Sequence, residues 1–197
     1  MLCRKADASL SREQLKDIAG LIYDSDPYIY PAMFASRQEA ETVIPQMIRA
    51  EDQMFRRENL FVALDGTKVT GVLVWKRGPL AWDKTIYEKC GGNAKYIDRV
   101  AMEYIDLFTE TPANTVSLIR ISVRKELQGK QIGSLLMDTF FEAEKGPYQL
   151  FVLSSNTEAI PFFEEKGFSI RETRPGFSLD HQASPCYWMV KGMVKGV

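Results

Sequence analysis

The sequence predicts an α+β fold: a mixed, mostly antiparallel twisted sheet flanked by helices. Three observations carry this. Two N-terminal stretches of helical period each open on a capping sequence. A tight Asp65-Gly66 turn then joins two apolar runs. Last, from Val116 to Phe168 the chain alternates strand, glycine loop, helix, short strand and helix. The 197 residues suffice for one sizeable core, and no repeat or linker divides them, so a single domain over 1–197 is expected.

The elements follow in order. Ser11-Arg-Glu-Gln14 has capping-box spacing, and Leu15, Ile18, Ala19 and Ile22 recur on one helical face until Asp26-Pro27 breaks the pattern. Ser36-Arg-Gln-Glu39 opens a second helix with Ala40, Val43, Ile44, Met47 and Ile48 inward; Pro45 inside it predicts a kink or a split. Leu60–Leu64 and Val69–Lys76 read as a hairpin. Ile97, Val100, Ala101, Tyr104, Ile105 and Phe108 place an amphipathic helix over roughly Lys95–Phe108. Val116–Val123 is a strand. In the helix after it, Ile132, Leu135, Leu136 and Phe140 face the core. Gln149–Leu153 is a short strand buried on both sides, Thr157–Lys166 a helix closed by Gly167, and Phe168–Arg174 and Tyr187–Lys191 are the final strands.

Bulk properties exclude several functions. A net charge of −1 argues against a nucleic-acid binder resting on a basic field. No apolar run reaches membrane-spanning length, and charge follows Met1 too soon for a secretory signal. Cys3, Cys90 and Cys186 are odd in number and far apart, so free thiols in a reducing cytoplasm are expected, with no zinc site and no disulfide framework. Phe140-Phe141 and Phe162-Phe163 have the spacing of packing residues, without interleaved basic residues.

The chemistry concentrates in Gln128-Gly-Lys-Gln-Ile-Gly-Ser134, between a strand and a helix. Glycines there allow a tight turn that points several N–H groups at one spot, and the helix adds its positive end: an anion site. The chain has neither Gly-x-x-x-x-Gly-Lys-Ser/Thr nor Gly-x-Gly-x-x-Gly, which sets a nucleotide loop far behind, and no Gly-x-Ser-x-Gly, which argues against a serine hydrolase. Asn156 has two readings, a ligand contact and an N-cap for the following helix.

Gln128-x-x-Gln131-x-Gly133, followed at the expected spacing by Asn156-x-x-Ala159, Phe163 and Gly167-Phe168, resembles the GNAT superfamily of CoA-dependent N-acyltransferases. The resemblance covers about 116–168, the expected CoA-binding core, and the flanking elements agree in order. It implies acetyl-CoA as co-substrate, no metal, and transfer of the acetyl group to a primary amine of a small molecule, amino acid or peptide by direct attack. Cofactor contacts then fall on Ile121, Ser122, Val123, Gln128, Gly129, Lys130, Gln131, Ile132, Gly133, Ser134, Asn156, Ala159, Phe162 and Phe163. The chain departs from the pattern in two places. Gln131 replaces a glycine, which costs something if that position needs a positive φ. Phe163 replaces a tyrosine that protonates the leaving thiolate and has no proton to give. These departures keep an alternative open, a catalytically weak or inactive acyl-CoA-binding module.

No residue stands out as the base. Asp24, Asp26, Tyr28 and Tyr30 cluster in the turn that walls the acceptor cleft in the family, though Asp-Ser-Asp-Pro is also a good turn sequence. Ser122 and Ser154 fall near the expected reaction centre without triad partners, and His181 is a lone histidine in a polar stretch. Ser122, Asp26 and Tyr28 are the catalytic candidates. Gly78–Thr115 is longer than the family's usual connection, so a helix is inserted between the third and fourth sheet strands, as an acceptor wall or a dimer contact. No nucleic-acid or membrane partner is expected. Exposed edge strands allow a homodimer.

Overall fold

The computed structural model describes residues 1–52, 54–80, 84–91, 103, 106–108, 110–176, 178–179, 182–183 and 185–193. The helix expected over Lys95–Phe108 lies mostly outside these residues, though Glu103 and Asp106 are helical, and His181 lies outside them too.

In chain order the elements are β1 (Leu2–Lys5), α1 (Arg12–Asp24), α2 (Ile29–Met33), α3 (Arg37–Arg49), β2 (Leu60–Asp65), β3 (Lys68–Arg77) and α4 (Lys84–Lys89). Then follow β4 (Val116–Val123), α5 (Ile132–Ala143), β5 (Tyr148–Leu153), α6 (Ala159–Glu165) and β6 (Ser169–Arg174). A small ribbon of β7 (Ser178–Leu179) and β8 (Gln182–Ala183) precedes β9 (Cys186–Lys191). The main sheet has seven strands in the order β1-β2-β3-β4-β5-β9-β6, antiparallel throughout except for the central β4–β5 pair.

Both faces of the sheet are covered, which is why β2 and β3 read as continuous apolar runs. Leu60, Val62, Leu64, Val72 and Val74 join α1, α2 and α3 in one core. Phe61, Ala63, Leu73 and Trp75 join α5 and α6 in the other. The β2–β3 turn places Gly66 at φ +59, as a two-residue hairpin requires.

The capping box of α1 is complete: Gln14 N–H donates to Ser11 Oγ and Ser11 N–H to Gln14 Oε1. In α3 the Ser36 hydroxyl caps Glu39 N–H, but the Glu39 carboxylate accepts from Ala35 N–H, one residue before the cap. Pro45 sits inside α3, which runs on from Arg37 to Arg49 without splitting. Leu135, expected in the core, is 41% exposed; the buried stripe of α5 is Ile132, Leu136, Met137 and Phe140. The helix expected from Thr157 begins at Ala159.

A buried amide pins the middle of the sheet. Gln149 Nε2 donates to Thr111 Oγ1 at 2.6 Å and Ser117 Oγ at 3.0 Å, while Gln149 Oε1 accepts from Trp188 Nε1 at 3.0 Å. This ties β4, β5 and β9 together where β4 and β5 start. Their pairing covers only Val116↔Tyr148, Ser117↔Gln149 and Leu118↔Leu150. Directly beyond Leu118, β4 carries a bulge: Trp75 faces Leu118 and Val74 faces Arg120, so Ile119 is the extra residue. A bulge bends its strand, and from here β4 and β5 diverge.

Candidate functional site

The gap between the diverging strands is the floor of the site. Residues Arg120–Val123 pair with β3 on one side and, among the described residues, have no strand partner on the other. That leaves an open edge onto which an extended ligand can add like a strand.

The loop from Gln128 stands at one end of this edge. It starts after a 3-10 turn at Lys125–Leu127, with Gln128 Nε2 held on Val123 O at 3.2 Å. Gly129 has φ +75 and Gln131 has φ 60, both left-handed. Gln131 is the N-cap of α5 and makes no side-chain cap bond there. Among the described residues, none of the backbone N–H groups of Gly129, Lys130, Gln131, Ile132, Gly133 and Ser134 donates to a protein backbone acceptor; the ladder of α5 starts with Leu135 N–H on Gln131 O at 3.0 Å. Six successive N–H groups at the head of a 12-residue helix form an anion nest with the helix dipole behind it. A pyrophosphate fits such a nest.

A cavity of about 500 Å³ connects the nest to the open edge. Ile121, Ser122, Val123, Gln128, Gly129, Gln131, Ile132, Gly133, Ser134, Asn156, Ala159 and Phe162 all line it. Lys130 is exposed and its side chain is not in the lining. Phe162 covers Gly133: a Cβ built at Gly133 would lie 3.5 Å from Phe162 Cζ, ordinary contact. Across the gap, Asn156 Oδ1 accepts from Ala159 N–H at 3.1 Å, which leaves its Nδ2 group for the cleft.

A second cavity of about 110 Å³ continues into the gap, walled by Leu118, Ile119, Arg120 and Ile121 of β4, Leu150–Leu153 of β5, and Phe163. Ser25, Asn156, Ile121 and Ala159 line both cavities and mark where they join. Phe163 is buried at 6% exposure and lines this cavity. Phe151 of this wall stacks edge-on with Phe108 of the 78–115 segment at 4.9 Å. Tyr87, from α4 in the same segment, donates to Met33 O at 2.7 Å at the end of α2. The described part of the segment thus packs against the end of α2 and against Phe151 of the gap's wall.

Of the catalytic candidates, Ser122 lines the larger cavity and Asp26 the smaller. Tyr28 is 41% exposed and lines neither. Asp24 lines the larger cavity and pairs with Arg37 at 3.2 Å. Asp26 is buried and occupied: Oδ1 accepts from Tyr28 N–H at 2.8 Å and Ile29 N–H at 2.7 Å, and Oδ2 faces Arg120 Nη2 at 3.3 Å. The guanidinium of Arg120 lies over the Tyr30 ring, 5.4 Å from its centroid. Burial pushes the Tyr30 hydroxyl up, with Arg120 opposing, so it stays protonated at neutral pH. Neither Ser25 nor Arg120 was singled out in the sequence. An arginine inside an otherwise apolar strand, where burial demands a partner, was the available signal. Among the described residues no group of three His, Cys, Asp or Glu side chains could hold a metal, and no helix is long and apolar enough to cross a membrane.

The site thus lies in a sheet split between its one parallel pair, with an anion nest at the head of the helix between those strands. Residues 92–170 match the family model of the acetyltransferase (GNAT) domain. The fold agrees over nearly the whole chain. An N-acetyltransferase from Staphylococcus aureus Mu50 superposes with a TM-score of 0.65 at 14% identity, over 96% of this chain and 100% of that one. Naa20 of Chaetomium thermophilum, solved with a bisubstrate analogue, gives 0.59 at 16% identity over 98% and 87%. The ribosomal-protein-S18-alanine N-acetyltransferase of Escherichia coli gives 0.58 at 11% over 100% and 97%. No curated protein matches the sequence. Over nearly the whole chain, the fold is that of these N-acetyltransferase structures.

Proposed function

We propose that the protein transfers the acetyl group of acetyl-CoA to a primary amine of a small molecule, an amino acid or a peptide N-terminus, by direct attack. One observation carries the reading: six N–H groups without backbone acceptors at the head of α5 continue into the unpaired edge of β4. The nest would take the pyrophosphate, the β4 edge would pair with the pantetheine amides, and Asn156 Nδ2 would bond the same arm. A β4 N–H at Ile121–Val123 would stabilise the oxyanion as the amine adds. The amine would enter at the mouth of the larger cavity, and its proton would leave by water there, where Asp24 and Glu158 are exposed carboxylates. With no hydroxyl on Phe163, the thiolate leaves on its own acidity, near pKa ~8.5 for a free thiol.

Phe163 also favours a second reading, a domain that holds acyl-CoA without turning it over. Thiol release from acetyl-CoA against a panel of primary amines and peptides separates the two. Amine-dependent release supports the enzyme; CoA binding without release for any amine supports the holding domain. Free thiols at Cys3, Cys90 and Cys186 suit a cytoplasmic setting, and the exposed β6 edge is where a homodimer would form.

A further inference from the structure

We propose that Asp26 and Arg120 are positioning residues for transfer: their buried ion pair holds the Ser25–Pro27 turn against β4 as a wall that keeps water out of the strand gap. The inference rests on the reading of the gap as the acyl and acceptor site.

Ser25 is tied back to α1, with its N–H and Oγ both donating to Ile22 O at 3.1 and 2.6 Å, which leaves the link towards β4 to Asp26. The turn joins α1 to a five-residue helix, and Pro27 donates no hydrogen bond. Yet Ser25, Asp26 and Pro27 all line the 110 Å³ cavity in which the acetyl group and the attacking amine would meet. Asp26 fixes the turn in two directions. Its Oδ1 takes the first two N–H groups ahead of and in α2, and its Oδ2 reaches Arg120, the residue directly after the Ile119 bulge. Arg120 is braced in turn: Nη1 donates to Ile119 O at 3.0 Å and the guanidinium lies over Tyr30. Both charged side chains are about nine-tenths buried, at 10% and 9% exposure. With Oδ1 taken by two backbone N–H groups and Oδ2 facing Arg120, the geometry assigns Asp26 to holding the turn. The bulge that opens the gap and the latch that closes its far side are adjacent residues of one strand. If the wall shifts, water reaches the thioester and competes with the amine.

The test uses Asp26→Asn, Arg120→Met and the double variant, with acetyl-CoA as the probe. Each is measured for CoA affinity by titration calorimetry, for Tm, and for thiol release in the absence of any amine. Each single variant is expected to lower Tm, keep the CoA affinity of the wild type, and raise amine-free thiol release several-fold. The double variant leaves neither charge buried alone, so its Tm recovers towards wild type, while the raised amine-free release persists. Release that follows Tm, or that stays at the wild-type level in all three, overturns the proposal. Failure of the wild type to bind CoA overturns the functional reading beneath it, a result distinct from the other two.

Discussion

Asn156 Oδ1 accepts the backbone N–H of Ala159 at 3.1 Å, so the side chain that faces both cavities also caps α6. The two roles sit on different atoms and separate by substitution. Asn156→Asp keeps the capping oxygen and loses the Nδ2 donor, so its Tm is expected to stay close to wild type while CoA affinity falls. Asn156→Ala loses both, and the missing cap costs about 1 kcal/mol. Calorimetric Tm and CoA titrations on both variants check this; equal CoA affinity in Asn156→Asp and wild type would remove the side chain from the ligand site.

Gln131 holds a left-handed conformation at φ 60, where glycine is at ease. Relief of about 1–2 kcal/mol in Gln131→Gly is offset by about 0.5–1 kcal/mol of extra chain entropy in the unfolded state. The net gain of up to about 1.5 kcal/mol corresponds to a rise in Tm of at most about 3–6 °C. CoA affinity is expected to hold, because the N–H of residue 131 stays in place. A lower Tm in scanning calorimetry would show that Gln131 contributes a contact beyond its backbone.

Phe163 lies between Phe162 and Phe168, with ring centroids at 5.3 and 6.0 Å, and it lines the smaller cavity. Phe163→Tyr adds a hydroxyl to a residue of that wall, and turnover of acetyl-CoA is expected to rise if protonation of the thiolate limits the rate. The kcat with a fixed amine reports it. An unchanged kcat would mean that thiolate departure is not limiting.

Cys186 is 1% exposed, and burial pushes its thiol up to about 11, with Arg174 opposing. The folded value stands above the ordinary 9.0, so the thiol favours the fold in its protonated form. That contribution is complete below about pH 9 and is lost as pH rises through about 11. Urea midpoints measured from pH 8 upward should fall, and Cys186→Ala should show a shallower fall. At pH 8 the native thiol is expected to resist alkylation; rapid labelling would contradict its burial.

Local signals were legible in the sequence and tertiary ones were not. The loop at Gln128–Ser134, the capping residues Ser11 and Ser36, and the buried stripes of α1 and α3 depend on neighbours within a turn or two of chain, and they fold as read. The split of β4 from β5 depends on the Ile119 bulge, which exists only against β3. The Asp26–Arg120 pair joins residues from distant parts of the chain, and Asp26 read equally well as plain turn chemistry. Leu135 fits the helical period but lies on the solvent edge of α5, because the stripe that α5 buries is narrower than the period allows. β1 and α2 were missed: the one is a short edge strand with a polar half, and the other carries Pro31 within five residues.

Titration of CoA into the wild type and Gly133→Asp tests the central claim most directly. The Gly133 backbone needs no positive φ and its Cβ has room beside Phe162, so the variant should fold with an unchanged Tm. Its carboxylate would then stand against the pyrophosphate in the nest. The expected result is saturable binding of one CoA per chain in the wild type and an affinity lower by at least about a hundredfold, or ~2.7 kcal/mol, in the variant. Equal affinity in a folded Gly133→Asp protein would contradict the assignment of the Gln128–Ser134 loop, and with it the function proposed for the cleft.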